Sequence, residues 1–241
     1  MELYDNAIYQ MKQLLKQYPV KRIPKYEGRL PLLEGEQVLL RRDMAYELGG
    51  GTLPAISMLA FTTSKELVSD SASFLCGQDI TALQETVPYA RVALIRLSDE
   101  FLGQDIYEQG IYDVLRRIDF VRYRLRIDGY MMRISAAKER EVVRIGAKAR
   151  EEGLTFSAVG QCFMQSYLTE PEVKEVQTYF ITLPEFDYEA LRSIARKTEG
   201  ITESLNYIYE AISMDCDSCG LRAVCDEVEG LKELHFNRGS R

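Results

Sequence analysis

Four short runs rich in branched and aromatic residues, Ile56–Phe61, Ala72–Cys76, Arg91–Leu97 and Val173–Leu183, set what this chain can fold into. Each is bounded by polar or glycine punctuation. In the last, Val176, Thr178, Phe180 and Thr182 alternate with their neighbours as residues of a strand do. Two more strand-like stretches are read, one from Val38 through Met44 to Leu48 and one at Tyr130–Ser135. Helical periods interrupt them. Ile8, Met11, Leu14 and Leu15 predict an amphipathic helix over 3–17, followed by an irregular connector over 19–31 with three prolines and a glycine. Ile106, Ile111, Val114, Leu115 and Ile118 predict a helix over 106–120. Further helices are expected over 136–151, over 155–168 with Thr155 as N-cap, and over 188–214 with a break or bend near Gly200. Helices and strands intermingle without the regular spacing of βαβ units. The expected class is therefore mixed α/β (α+β), a mixed sheet covered by helices, with a C-terminal tail that carries cysteines. The expected organisation is an N-terminal helix and connector over 1–30, a mixed domain over 31–205, and the tail over 206–241.

A chain of 241 residues with 46% hydrophobic and 28% charged residues is long enough, and apolar enough, to bury a sizeable core. Its net charge of -7 gives no reason to expect nucleic acid or an anionic membrane as partner. Met1-Glu2-Leu3-Tyr4-Asp5 is acidic where a secretion signal is basic, and no run approaches the length of a membrane span. A cytoplasmic protein is expected.

The five cysteines are unevenly placed. Cys76 and Cys162 stand alone, whereas Cys216, Cys219 and Cys225 fall within ten residues. In a reducing compartment such a cluster reads as thiols or metal ligands rather than disulfides. A Cys-x2-Cys pair turns two sulfurs toward one ion, and Gly220 eases the reversal while leaving backbone N–H groups to donate to thiolate. Cys225 is near enough to complete a triangular face. Thiolates at this spacing suit an iron–sulfur cluster or zinc. A fourth ligand would come from His235, the sole histidine, or from Cys162 or Cys76 through the fold. Two other readings stay open: small apolar packing residues, and a redox dithiol. The latter normally lies early in a βαβ unit rather than after a helix.

Six arginines crowd the stretch from Arg116 to Arg133 of this acidic protein. Were 122–126 extended, Arg122, Arg124 and Arg126 would share one face and suit a phosphate-bearing ligand such as CoA or a nucleotide. The alternative is a solvated surface paired with Asp119, Asp128 and nearby acids. Gly49-Gly50-Gly51 lacks the Lys-Ser/Thr of a phosphate loop. One histidine makes triad chemistry an unsuitable reading.

Two landmarks carry a resemblance to a known family. Glu34-Gly35-Glu36-Gln37-Val38 and Asp43-Met44-Ala45-Tyr46-Glu47-Leu48-Gly49-Gly50 look like an EGE-x-V … DM-x-x-EL-x-G pattern, with one extra residue between the halves and Gly51 in place of a proline. Cys216-x2-Cys219 falls after a helix-rich region. Both resemble the catalytic (beta) subunit family of the carbon monoxide dehydrogenase/acetyl-CoA synthase complex, or acetyl-CoA decarbonylase/synthase. The resemblance covers roughly 34–225 and identifies 31–205 with that family's middle domain.

The resemblance implies that Cys216 and Cys219 match the first two ligands of a 4Fe–4S cubane. Cys225 follows after a shorter gap than the family's. A Cys-Gly-Cys that would hold the family's nickel pair is not present, nor is a fourth downstream cubane cysteine. The expectation is a truncated or diverged member, accessory or partner-dependent, in the one-carbon metabolism of an anaerobe. Its metal is an iron–sulfur cluster or zinc, and its partner a corrinoid protein or a carbon monoxide dehydrogenase-type subunit. Whether it turns over substrate is left open. A non-catalytic interaction module stapled by structural zinc is the alternative.

Overall fold

The computed structural model describes residues 2–98, 110–134, 140–209, 216, 219–228 and 230–231. Along the chain run α1 (Asp5–Leu15), β1 (Lys21–Ile23), β2 (Met44–Leu48), β3 (Ala55–Thr62), β4 (Ala72–Cys76), β5 (Tyr89–Leu97), α2 (Gly110–Asp119) and α3 (Val121–Arg124). They are followed by β6 (Tyr130–Ile134), β7 (Glu141–Gly146), α4 (Ala147–Glu151), α5 (Phe156–Leu168), β8 (Val173–Ile181), α6 (Tyr188–Tyr209) and α7 (Arg222–Glu227). The mixed α/β class expected from the sequence is the class observed.

The four runs that set the expectation form four strands of a five-stranded sheet in the order β1-β4-β8-β5-β3, with β1 at its edge. β4 runs parallel to β8 and β3 parallel to β5, while β5 and β8 are antiparallel at its centre. Each parallel pair is joined through other strands rather than through a single crossover helix, which is why the regular βαβ spacing is missing from the sequence. All but one residue of β5 are buried, as a strand covered on both faces must be. α5 packs on β8 and β4, and α6 with α1 packs on β3. Tyr4 meets Phe61 edge-on with ring centroids 5.5 Å apart, tying α1 into the same core as the sheet. Thr155 caps α5 as its sequence position predicts, accepting from the Ala158 N–H at 3.4 Å.

A second sheet, β2-β7-β6, is antiparallel throughout. It overturns part of the helix expected over 136–151: of the residues described there, 141–146 are strand β7 and only Ala147–Glu151 are helical. The reason is Glu141, which faces inward with Val143 and Ile145. A charged residue at an inward position conceals a period of two. Three smaller differences concern the flanks. Val38–Leu40 is irregular and β2 starts only at Met44, the connector over 19–31 contains β1, and α6 continues unbroken through Gly200 as far as Tyr209. Residues 106–109, 135–139 and 210–214 of the expected elements lie outside the described residues.

The glycine run closes the turn between β2 and β3. Gly49 and Gly51 have φ of 69° and 62°, the left-handed region that favours glycine. Among the described residues, no helix is long and apolar enough to cross a membrane.

Candidate functional site

The cysteine segment is docked on α6. Val224 of α7 sits over Gly200, where an added Cβ would come within 2.8 Å of Val224 Cγ2. Only a glycine lets the two helices approach so closely. Lys197 Nζ is 2.5 Å from Glu227 Oε2, and the buried Ser204 Oγ is 3.6 Å from Cys225 Sγ. Cys225 and Cys219 are half-buried and Cys216 is exposed. The Leu221 N–H donates to Cys219 Sγ at 3.4 Å, a backbone contact of the kind a Cys-x2-Cys turn provides to its sulfur.

Burial pushes the Cys225 thiol above its ordinary range; the Ser204 hydroxyl works against that shift, and negative charge on Cys219, Cys216 and Asp226 adds to it. Among the described residues, no three cysteine, histidine, aspartate or glutamate side chains are gathered closely enough to hold a metal ion. His235 lies outside the described residues. Cys162 is wholly buried within α5, its thiol pushed up to about 12, and Cys76 is buried at the end of β4 with its thiol pushed up to about 11.

The arginines predicted to share one strand face do not. Residues 121–124 form the short helix α3, so Arg122 turns inward and Arg124 turns out to Glu170 at 3.1 Å. Arg126, past the end of α3, donates to the carbonyls of Tyr123 and Leu125 at 2.6 and 3.1 Å. Helical geometry separates what an extended chain would align. Arg122 and Arg126 nevertheless both border one cavity of about 310 Å³, walled by Tyr130, Met131 and Met132 and rimmed by Glu36.

Behind Arg122 lies a buried polar network. Arg91 of β5 donates from Nε to Glu141 Oε1 at 2.8 Å and from its second terminal nitrogen to Glu141 Oε2. It also donates to Ser57 Oγ at 3.2 Å. Arg122 donates to the same Ser57 oxygen at 3.2 Å, and its Nε lies 2.8 Å from Asp119 Oδ1. Arg91 and Glu141 are 1% and 0% exposed, so each charge depends on the other for solvation. Burial acts to lower the Arg91 pKa, but the charge and hydrogen bonds of Glu141 outweigh it and the net shift is upward. The Phe163 ring lies 4.3 Å below the guanidinium. The Tyr89 and Tyr130 hydroxyls are 2.5 Å apart, and burial raises both phenols.

Reading the sequence for exposed chemistry missed this network. The available signal was the alternation of Glu141, Val143 and Ile145. Arg91 lay in a run already read as a strand, with nothing in the sequence to mark its guanidinium as buried.

Residues 28–186 match the family described as CO dehydrogenase/acetyl-CoA synthase complex beta subunit. The match takes in the Glu34–Gly50 landmark, every strand of both sheets except β1, and the buried network, and it spans well over half of the chain. The chain belongs to this family. Among curated proteins, none matches it. In this beta-subunit-family member the matched segment ends at 186, before α6, so the cysteine segment lies outside it. The membership expected from the sequence thus rests on the core of the molecule, and the cysteines stand beside it.

Proposed function

We infer that this chain is an accessory, partner-dependent beta-subunit-type protein that binds an iron–sulfur cluster or another thiophilic metal through Cys216, Cys219 and Cys225. The observation that carries the reading is the docking of the cysteine segment on α6. It seats Cys225 beside Ser204, on the short segment that also carries Cys216 and Cys219. The donor set is all sulfur, which suits iron–sulfur clusters and zinc. Exposed Cys216 has to turn inward to complete the face, and a fourth ligand comes from His235 or from a partner, since the Cys162 thiol expected as an alternative is enclosed within α5. The metal, when bound, supplies electron transfer if it is a cluster and a cross-link if it is zinc.

Family membership makes a carbon monoxide dehydrogenase-type subunit the partner of first choice, in the cytoplasm, with a corrinoid protein the next. A CoA or nucleotide ligand at the arginine-bordered cavity belongs to the same proposal.

Structural zinc is the second reading. It is favoured by the contacts that already fix α7 to α6, Val224 on Gly200 and Lys197 with Glu227, which a zinc ion would complete as a staple. Metal and acid-labile sulfide measured on anaerobically purified full-length chain separate the two. Iron with matching sulfide and broad visible absorbance supports the cluster. One colourless zinc per chain supports the staple. Absence of both metals after anaerobic reconstitution removes the metal site altogether.

A further inference from the structure

The cavity of about 310 Å³ is bordered by Tyr130, Met131, Met132 and Ile134 of β6 and by no residue of β7. Successive strand residues point to opposite faces of a sheet. A cavity on one face would therefore take alternate residues of β6 together with residues of its neighbour. Here both faces contribute and β7 does not, so the cavity follows the outer edge of β6, the last strand of the order β2-β7-β6.

That edge is unpaired in a regular way. The Gly146 N–H donates across to the Gly129 carbonyl at 2.8 Å, whereas the Tyr130 N–H turns away from β7 to the Ile127 carbonyl at 3.0 Å. Tyr130 is thus in a non-hydrogen-bonded pair with Ile145, and the register runs on without a shift to Ile134 and Glu141. Antiparallel alternation then makes Met132 and Ile134 the residues whose N–H and C=O groups point away from β7. Among the described residues no hydrogen bond meets those groups. Sheet edges are commonly blunted by proline, a bulge or an outward charge. β6 has neither proline nor bulge, and its one charge, Arg133, is drawn to Glu47 at 3.6 Å.

The rest of the border decides what fits. It consists of residues from the stretch 122–127 with Glu36 and Gln37. This wall is held from behind, where the Leu33 N–H donates to the Arg126 carbonyl at 3.0 Å and the Asp128 N–H to the Pro31 carbonyl at 2.7 Å. Paired strands lie about 4.8 Å apart. A bounded space of this volume admits one short extended segment beside β6, while 122–127 holds off the whole sheet of a second copy. Tyr130, Met132 and Ile134 share one face, and an incoming strand sets alternate side chains beside them. Those side chains are apolar to match.

We propose that β6 receives one extended segment of a partner polypeptide, apolar at alternate positions, which pairs with the outward N–H and C=O groups of Met132 and Ile134. Main-chain hydrogen bonds supply affinity in this mode and alternate side chains supply selectivity. The inference goes beyond the metal-centred reading, and it gives this cavity a polypeptide in place of CoA or a nucleotide.

The test is amide hydrogen exchange followed by NMR on the metal-free, full-length chain, with the capped peptide acetyl-Val-Thr-Ile-Thr-Val-amide as probe. In the free chain the Met132 and Ile134 amides should exchange faster than those of Met131 and Arg133, which already bond to β7. Saturating peptide should slow the first two about tenfold and the others much less. A copy N-methylated at its valines and isoleucine keeps the side chains but loses the donors, and should bind at least about tenfold more weakly. Met132→Pro removes an outward donor without breaking the β7 ladder and should weaken the peptide similarly, with the unfolding midpoint reporting that the variant is folded. Where that variant fails to fold, the exchange pattern and the N-methylated copy decide. Absence of peptide binding, equal binding of the N-methylated copy, or protection that spares Met132 and Ile134 would each overturn the proposal. So would displacement of the peptide by CoA, and so would protection that rises with protein concentration alone, which would give the edge to a second copy. No metal enters these measurements, so the metal reading and this one stand or fall separately.

Discussion

Arg91 and Glu141 join the two sheets of this protein by a buried bidentate ion pair, one residue on β5 and the other on β7, both closed to solvent. In the unfolded chain both are hydrated ions. In the fold each has exchanged water for the other, and Arg91 also for Ser57 and the Phe163 ring. Such a pair gives little net stability but makes either partner alone very costly.

Glu141→Ala should therefore destabilise the protein by about 3–5 kcal/mol, because it strands the Arg91 charge in the core. The double variant Arg91→Met/Glu141→Leu should recover most of that loss. Urea unfolding of the two variants measures both numbers, and a double variant as unstable as the single one would show that packing rather than charge governs the site.

Gly200→Ala places a methyl group against Val224 and should loosen α7 while leaving the core intact. The expected sign is a severalfold faster alkylation of Cys225, with the global unfolding midpoint unchanged or slightly raised by the better helix former. Val224→Ala in the same chain should restore slow alkylation.

Stability should fall above about pH 9. The Cys162 thiol is pushed up to about 12 and that of Cys76 to about 11, both by burial. Between an ordinary thiol value and these, the unfolded chain loses protons that the folded chain keeps, so rising pH favours unfolding. The stability is complete below the ordinary value and is lost as pH climbs through the raised ones. Each such thiol contributes a slope of at most about 1.4 kcal/mol per pH unit. Cys162→Ala should flatten the decline in denaturant titrations at pH 9 to 11.5.

If Cys216, Cys219 and Cys225 hold the metal, Cys225→Ser should cut bound metal to under half of the wild-type value. Cys162→Ala should leave it unchanged, since that thiol is enclosed within α5. Metal content measured after anaerobic reconstitution decides the matter. Loss of metal on Cys162→Ala would assign the fourth ligand instead.

Much of the architecture was legible because the hydrophobic effect writes periodicity directly into sequence. The central strands appear as branched runs, α1 and α5 as amphipathic or capped helices, and the family from the Glu34–Gly50 landmark. β7 was not legible, because its inward residue Glu141 is a charge whose partner lies 50 residues away at Arg91. α3 was not legible either. Four residues are too few to show a period, and alternate arginines suit a strand equally well. At the candidate site, the clustering of Cys216, Cys219 and Cys225 could be read from spacing alone, whereas the role of α6 as their platform could not.

By itself, then, the sequence determined the mixed α/β class, the central strands and the family, since these follow from local patterns of apolar side chains and turn residues. The tertiary structure alone decided which charges go inside. Whether Arg91, Arg122 and Glu141 face water or one another depends on which distant segments meet, and burial of a charge is tolerated only where its counter-charge arrives at the same place.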